Sequence, residues 1–306
     1  MVAKQQAKTP KKSAIKTSLG DKMISVITYI IYSLFAFVCV YPFYYIIINS
    51  ISANNLSERG KILLYPMEIH FKNYANVMNI PGLLDAAQMS VLRTVVGTIL
   101  TVMIAAFLGY MFTRETMWRR KLWYRFVTVT MYINAGIIPW FLSMKLLGMT
   151  NNFWGYIFPM IIQPFYIVLC KTYVESVPRE LQEAAEIDGA SKLRVFFSII
   201  IPLSKPIMAV MVVFSMVAYW NDWFTALIYM SSDQAPLPLV LRNILIKSST
   251  SASQASMISG GYAELNKMTE MIKFASIIVA AAPMLVIYPF VQKYFEQGFM
   301  AGAVKG

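Results

Sequence analysis

The sequence predicts an all-α membrane protein that crosses the bilayer six times. Three observations carry that expectation. Hydrophobic residues fill 58% of the 306 positions, charged ones only 14%, and the mean hydropathy is +0.56, well above a soluble domain. Apolar runs of the length a helix needs to cross a hydrocarbon core, about 20 residues, fall at 24–48, 91–112, 126–147, 153–172, 207–230 and 272–291. Finally, of the 27 Lys and Arg, eighteen collect on one side of this six-span arrangement and nine on the other. The positive-inside rule then places both termini and the 175–206 segment in the cytoplasm of a bacterial cell.

Taken in order, residues 1–22 are a lysine-rich tail without apolar periodicity, with Lys4, Lys8, Lys11, Lys12, Lys16 and Lys22. The tail reads as an orientation signal beside anionic headgroups, not as a nucleic-acid arm. Residues 23–306 then form the transmembrane domain. The first run is too long for a signal-peptide core and lacks a cleavage pattern, so it is a retained span. Outer loops of about 40 residues follow the first and fifth spans, a length that usually has a function. The last of them contains "PLPLVLRNILIKS", where Leu239, Arg242, Asn243 and Ile246 recur at helical spacing and predict a short helix. Cys39 and Cys170 each fall within a span and suggest neither a disulfide nor a metal site. His70, the single histidine, has no ligand-spaced neighbours.

The segment between the fourth and fifth runs departs from this apolar pattern. It reads "ELQEAAEIDGASKLRVFFSIIIPLSKP", with Glu180, Glu183, Glu186 and Asp188 close together. Pro178 suits a helix start, and Leu181, Ala184, Ala185 and Asp188 share a helical face whose alanines admit close approach by another backbone. Gly189 suits a left-handed helix stop and Ser191 a cap for a second helix, until Pro202 and Pro206 break the chain. A helix lying on anionic lipid would be basic, whereas this one is acidic. The pattern therefore predicts a two-helix elbow that docks a protein, with Glu183 and Glu186 available to a partner's arginines.

The spacing of Glu183-Ala184-Ala185, Gly189 and Pro202 resembles the "EAA" loop of membrane subunits of ATP-binding-cassette importers, with Ile201 where leucine usually precedes the proline. The fuller "EAAEIDGAS" is similar to the carbohydrate branch, which includes the maltose-transporter type. Further stretches, "YPFYYIIINSIS", "MYINAGIIPWFLSMKLLGMTNNFWGYIFP", "YWNDWFTALIYM" and "YPFVQKYFEQGFMAGAVKG", resemble the LplC/YtcP-type oligosaccharide permeases. The resemblance implies a type I importer fold and a division of labour. Two separate ATPase subunits would bind ATP and Mg, a second homologous permease would complete the pathway, and an extracellular sugar-binding lipoprotein would deliver an oligosaccharide. Glu183, Ala184, Ala185, Asp188 and Gly189 would form the surface and elbow that the ATPase grips. The chain itself has no G-x-x-x-x-G-K-[ST] phosphate loop, so no cofactor is expected in it, and it is expected to be no enzyme.

A translocation pathway would need polar and aromatic side chains inside the bundle. Span five supplies Ser215, Tyr219, Trp220, Asn221, Asp222 and Trp223, span three Tyr132 and Asn134, and span four Gln163 and Tyr166. Asp222 inside a span, at roughly 2.5–3.5 kcal/mol on insertion scales, should face the bundle or a wet cavity. Cavity lining and helix–helix hydrogen bonding remain alternatives for Asp222 and Asn221, and packing is the alternative for Trp220 and Trp223. Two rival functions are an ion-coupled secondary sugar carrier, which would need several intramembrane carboxylates, and a membrane transferase, which would need clustered His, Asp or Glu.

Overall fold

In the computed structural model the described residues are 19–231, 234–255, 272–287 and 289. Most of the basic tail and the terminal motif from Tyr288 onward, Pro289 apart, lie outside them, as do 232–233 and 256–271 of the third outer loop. The described chain begins with α1 (Leu19–Ser50), then the short α2 (Asn54–Glu58) and α3 (Lys72–Met78), and the long α4 (Leu83–Thr113). Next come α5 (Arg120–Thr130), α6 (Ile137–Leu146), α7 (Trp154–Ile161) and α8 (Pro164–Glu175). The elbow region holds α9 (Arg179–Ile187), α10 (Lys192–Val195), a π-helical turn (Phe196–Ile200) and α11 (Ile201–Leu203). It leads into α12 (Lys205–Asn221), α13 (Phe224–Tyr229) and α14 (Leu237–Ala255), and the last described helix is α15 (Ile272–Ile287).

Two of these helices, α1 and α4, are each long and apolar enough to span a membrane. The count rises to four if the bent pairs α7–α8 (51°) and α10–α11 with α12 (81°) each form one span. Helix α4 begins at Leu83, eight residues before the expected start of the second span, because 83–90 continue its helical register.

Three of the other four expected spans are interrupted, by turn-forming residues or by a proline, while the described part of the sixth is the single helix α15. Run 126–147 divides into the end of α5 and α6. Its break at 131–136 contains Gly136 at φ +83°, and Asn134 Oδ1 accepts the Gly136 amide at 2.9 Å, a local turn that asparagine and glycine favour. Run 153–172 breaks ahead of Pro164, which disfavours helix at the residue before it. Run 207–230 ends as α12 at Asn221 and resumes as α13 at Phe224.

Helix α4 is the centre of the packing. Its Val102, Ala105, Ala106 and Tyr110 join Ile167, Cys170 and Val174 of α8, Phe196 of the π turn and Met211 of α12 in the largest buried cluster. Small residues permit the approach: a side-chain carbon on Gly109 would lie 2.9 Å from Cys170 Cβ, and one on Gly97 would run into the Tyr219 ring. Cys170 is accordingly a packing residue, its Sγ 3.8 Å from the Ala106 carbonyl. Cys39, expected to be a packing residue, lies exposed on α1 among the described residues.

The expected helix after span five is present as α14. Its first turn is pinned to α4 where Leu237 N donates to Ser90 Oγ at 2.8 Å. The first outer loop is held against the end of α1 by Asn73 Nδ2, which donates to Ser50 O (3.0 Å) and Asn54 Oδ1 (3.1 Å).

Candidate functional site

Two groups of residues concern function, one at the C-terminal end of α4 and one about a third of the way along it. At the first, α9 ends in a complete left-handed stop. Gly189 sits at φ +80°, its amide donates to Glu186 O (3.0 Å), and the Ala190 amide donates to Ala185 O (2.9 Å). This is the pair of bonds that closes a Schellman motif, and glycine takes the left-handed position without a Cβ penalty. Ser191 then caps α10, its Oγ accepting the Arg194 amide at 3.3 Å. The chain therefore makes the expected elbow.

Its faces are divided more finely than the helical pattern suggested. Leu181, Glu183, Ala184, Ile187 and Asp188 are exposed, whereas Gln182 is buried and Ala185 is half-buried against the main cluster. Of the alanine pair, Ala184 faces outward and Ala185 inward. Glu186, expected to be free for a partner's arginine, is already paired with Arg114 of this chain. Arg114 Nη1 also donates to Gln182 Oε1 at 2.9 Å. The sequence places Arg114 68 residues before Gln182, and only packing brings the two together.

Nearer the start of α4, ten residues in from Leu83, lies Arg93, which no pattern in the sequence singled out. Its side chain is 0% exposed. Nη2 donates to the Trp220 carbonyl at 3.5 Å and to the Asp222 carbonyl, Nη1 lies 3.6 Å from Asp222 Oδ2, and the guanidinium is 5.0 Å from the centre of the Tyr156 ring. The carbonyls at a helix C-terminus lack partners and carry partial negative charge. Arg93 thus supplies α12 with a cationic cap. Asp222 Oδ1 accepts the Thr225 amide at 3.1 Å and starts α13. Asp222 is therefore tied into helix-end hydrogen bonding, the second of the two alternatives. An arginine and an aspartate that each fall inside an apolar run were the available signal, because neither is stable there alone.

The remaining pathway candidates separate. Tyr219 and Tyr166, with Thr101, Met160, Gln163, Ser215 and Ala218, line a polar cavity of about 90 Å³. Tyr219 shares a 3.0 Å hydrogen bond with Thr101. The cavity is well below the roughly 300–1,000 Å³ of ligand pockets, so in this conformation it has room for water and not for a sugar. Trp220 is a packing residue whose Nε1 donates to Ala280 O at 3.0 Å. Trp223 carries Arg242 4.1 Å from its ring centre. Asn221, Tyr132 and Asn134 are exposed, and the last is occupied in its own turn. Among the described residues no group of three or more His, Cys, Asp and Glu could hold a metal.

The profile of the family "Binding-protein-dependent transport system inner membrane component" matches residues 102–301. The chain is 34% identical to protein LplC of Bacillus subtilis (strain 168) over 270 residues, covering 88% of this chain and 90% of that protein. It is 32% identical over 289 residues to the polygalacturonan/rhamnogalacturonan transport system permease protein YtcP of the same organism, covering 94% and 100%. A chain of a bacterial ABC transporter involved in the import of the acidic polysaccharide alginate superposes with a TM-score of 0.82 at 25% identity, covering 92% of this chain and 100% of that one. The chain therefore belongs to the family of binding-protein-dependent inner membrane components, the permeases of ABC transporters, and is a multi-pass protein of the cytoplasmic membrane.

Proposed function

We propose that this permease forms, with a second homologous permease, the pathway by which an ATP-driven importer takes up an oligosaccharide handed over by an extracellular sugar-binding lipoprotein. The observation that carries this reading is the elbow of α9 and α10. It is a rigidly stopped helix with Leu181, Glu183, Ala184, Ile187 and Asp188 exposed, braced from behind on α4. Exposed acidic and small residues on a braced helix suit a cleft in another protein better than a lipid surface. In this reading two ATPase subunits bind ATP and Mg, Glu183 pairs with an ATPase cation, and Ala184 and Gly189 allow the close seat. The elbow and both termini are cytoplasmic, and the two bent helix pairs, the α5–α6 region and α15 complete six spans with α1 and α4. Apolar exposure along α1, from Met23 through Phe43, suits contact with lipid and with the second permease.

Two of the related transporters carry names that specify uronate-bearing polysaccharides, alginate and polygalacturonan, and an acidic oligosaccharide is the substrate class this supports. Tyr166 and Tyr219 would meet it when the polar cavity widens. The test is co-expression with candidate ATPase subunits, followed by purification through this chain and measurement of sugar-stimulated ATP hydrolysis with the binding protein present. Co-purification of an ATPase, with stimulation abolished by Glu183→Lys, is the expected result. Uptake driven by an ion gradient in vesicles lacking ATP would overturn the reading in favour of the secondary carrier.

A further inference from the structure

Two arginines tie α4 to different segments, Arg114 at its C-cap and Arg93 ten residues in from its start. At the elbow end Arg114 takes two acceptors on α9, Gln182 and Glu186, while its guanidinium lies 5.6 Å from the centre of the Tyr110 ring. Lys192 of α10 donates to Thr116 Oγ1 at 2.6 Å beside it. About six turns back along α4, Arg93 holds the break between α12 and α13 through two carbonyls and Asp222. Between the two arginines, about 30 Å apart at the rise of an α-helix, α4 runs without a proline or a break. It also carries Gly97, against which the Tyr219 ring is seated.

We propose that α4 is the rod that transmits displacement of the α9–α10 elbow to the broken span α12–α13, with Arg114 at its C-terminal end and Arg93 within its length as the positioning residues that attach it to the two. The proposal rests on the reading of α9 as the ATPase-coupling helix. A planar guanidinium with two acceptors on one helix fixes both the position and the rotation of that helix, which a lysine point charge does not. The exposed pair of Arg179 and Glu115 at 3.4 Å adds little, because solvent screens it. A shift of α9 consequently moves α4 along with it. Arg93 then carries the carbonyl ends of α12, and Tyr219 on the same helix changes its seat at the polar cavity. The chain of contacts is contiguous, which is the physical requirement for coupling between distant sites.

The experiment uses the whole importer in liposomes, with its ATPases and binding protein, carrying wild type, Arg114→Gln, Arg114→Lys or the exchange Arg114→Glu with Glu186→Arg. Arg114→Gln is expected to keep the ATPases bound and their sugar-independent hydrolysis unchanged. Sugar-stimulated hydrolysis and uptake should fall about tenfold, the factor that corresponds to losing one charge-assisted contact. Arg114→Lys should fall in between, and the exchange should recover part of the uptake; lost stimulation with the ATPases bound and their sugar-independent rate kept is the response that a purely structural role would not show. Should Arg114→Gln fail to assemble, Glu186→Gln is read in the same way. Wild-type uptake in Arg114→Gln and Glu186→Gln, with ATPases bound, overturns the rod alone. A wild-type chain that retains no ATPase overturns the coupling-helix reading and the rod with it.

Discussion

Replacing Arg93 by methionine tests whether the arginine, and not merely the bulk at its position, holds α12 to α13. The side chain is wholly enclosed, and its removal leaves two carbonyls at the end of α12 without a donor and Asp222 without a countercharge. Breaking a buried pair by removing one partner costs about 3–5 kcal/mol, whereas removing both charges is much milder because no lone charge remains enclosed. Asp222 is 14% exposed, but its Oδ2, the oxygen that faces Arg93, is enclosed and has no hydrogen-bond partner, so the full range applies. Asp222→Asn keeps a side-chain oxygen for the Thr225 amide and leaves Arg93 its carbonyls, so its cost should be about 1.5–3 kcal/mol, that of one hydrogen bond to a charged group. The double variant should then cost less than the sum of the two by at least about 1 kcal/mol, the coupling expected of residues in contact. The assay is unfolding of the purified permease in detergent by tryptophan fluorescence, with the four proteins of the cycle measured side by side. Costs that add within about 0.5 kcal/mol, the limit for independent sites, would refute the pairing. So would an Arg93→Met that unfolds at the wild-type midpoint.

Further outcomes follow from the packing. Gly109→Val drives a branched side chain into Cys170 and the backbone of α8, and should lower stability by about 1–3 kcal/mol, the cost of overpacking; the same fluorescence unfolding reads it. Gly189→Ala meets nothing within 4 Å but must hold φ near +80°. Its cost of about 1–2 kcal/mol is therefore backbone strain alone, and should appear as faster proteolysis within 179–191 while the rest of the chain keeps its resistance. Tyr219→Phe removes the hydroxyl bonded to Thr101, with a stability cost of about 0.5–1.5 kcal/mol. A loss of uptake much larger than that, at equal membrane abundance, marks the cavity as part of the pathway, and unchanged uptake removes it.

The elbow was legible in the sequence because everything that forms it is local. A helix-starting proline, a glycine that accepts a left-handed turn and a serine cap act within a few residues of where they stand, and the structure bears each of them out in Pro178, Gly189 and Ser191. The α14 helix was legible for the same reason. The interruptions at 131–136 and 222–223 were not, because hydrophobicity summed along a run does not register a turn of asparagine and glycine or a helix end held from elsewhere. Tyr166 and Tyr219 were found as a cavity-lining pair, while Asn134 shared their chemistry but stands in a separate, exposed turn.

By itself the sequence determined that this is an apolar, helical membrane protein with an acidic elbow that its own short-range chemistry shapes, since hydrophobic length and helix-capping preferences are properties of contiguous residues. Tertiary structure decided which charges are free. Glu186 is taken by Arg114, and Asp222 by Arg93 across 129 residues of chain, because a charge withdrawn from water must find its partner wherever the packing puts one, and no spacing along the chain encodes that distance.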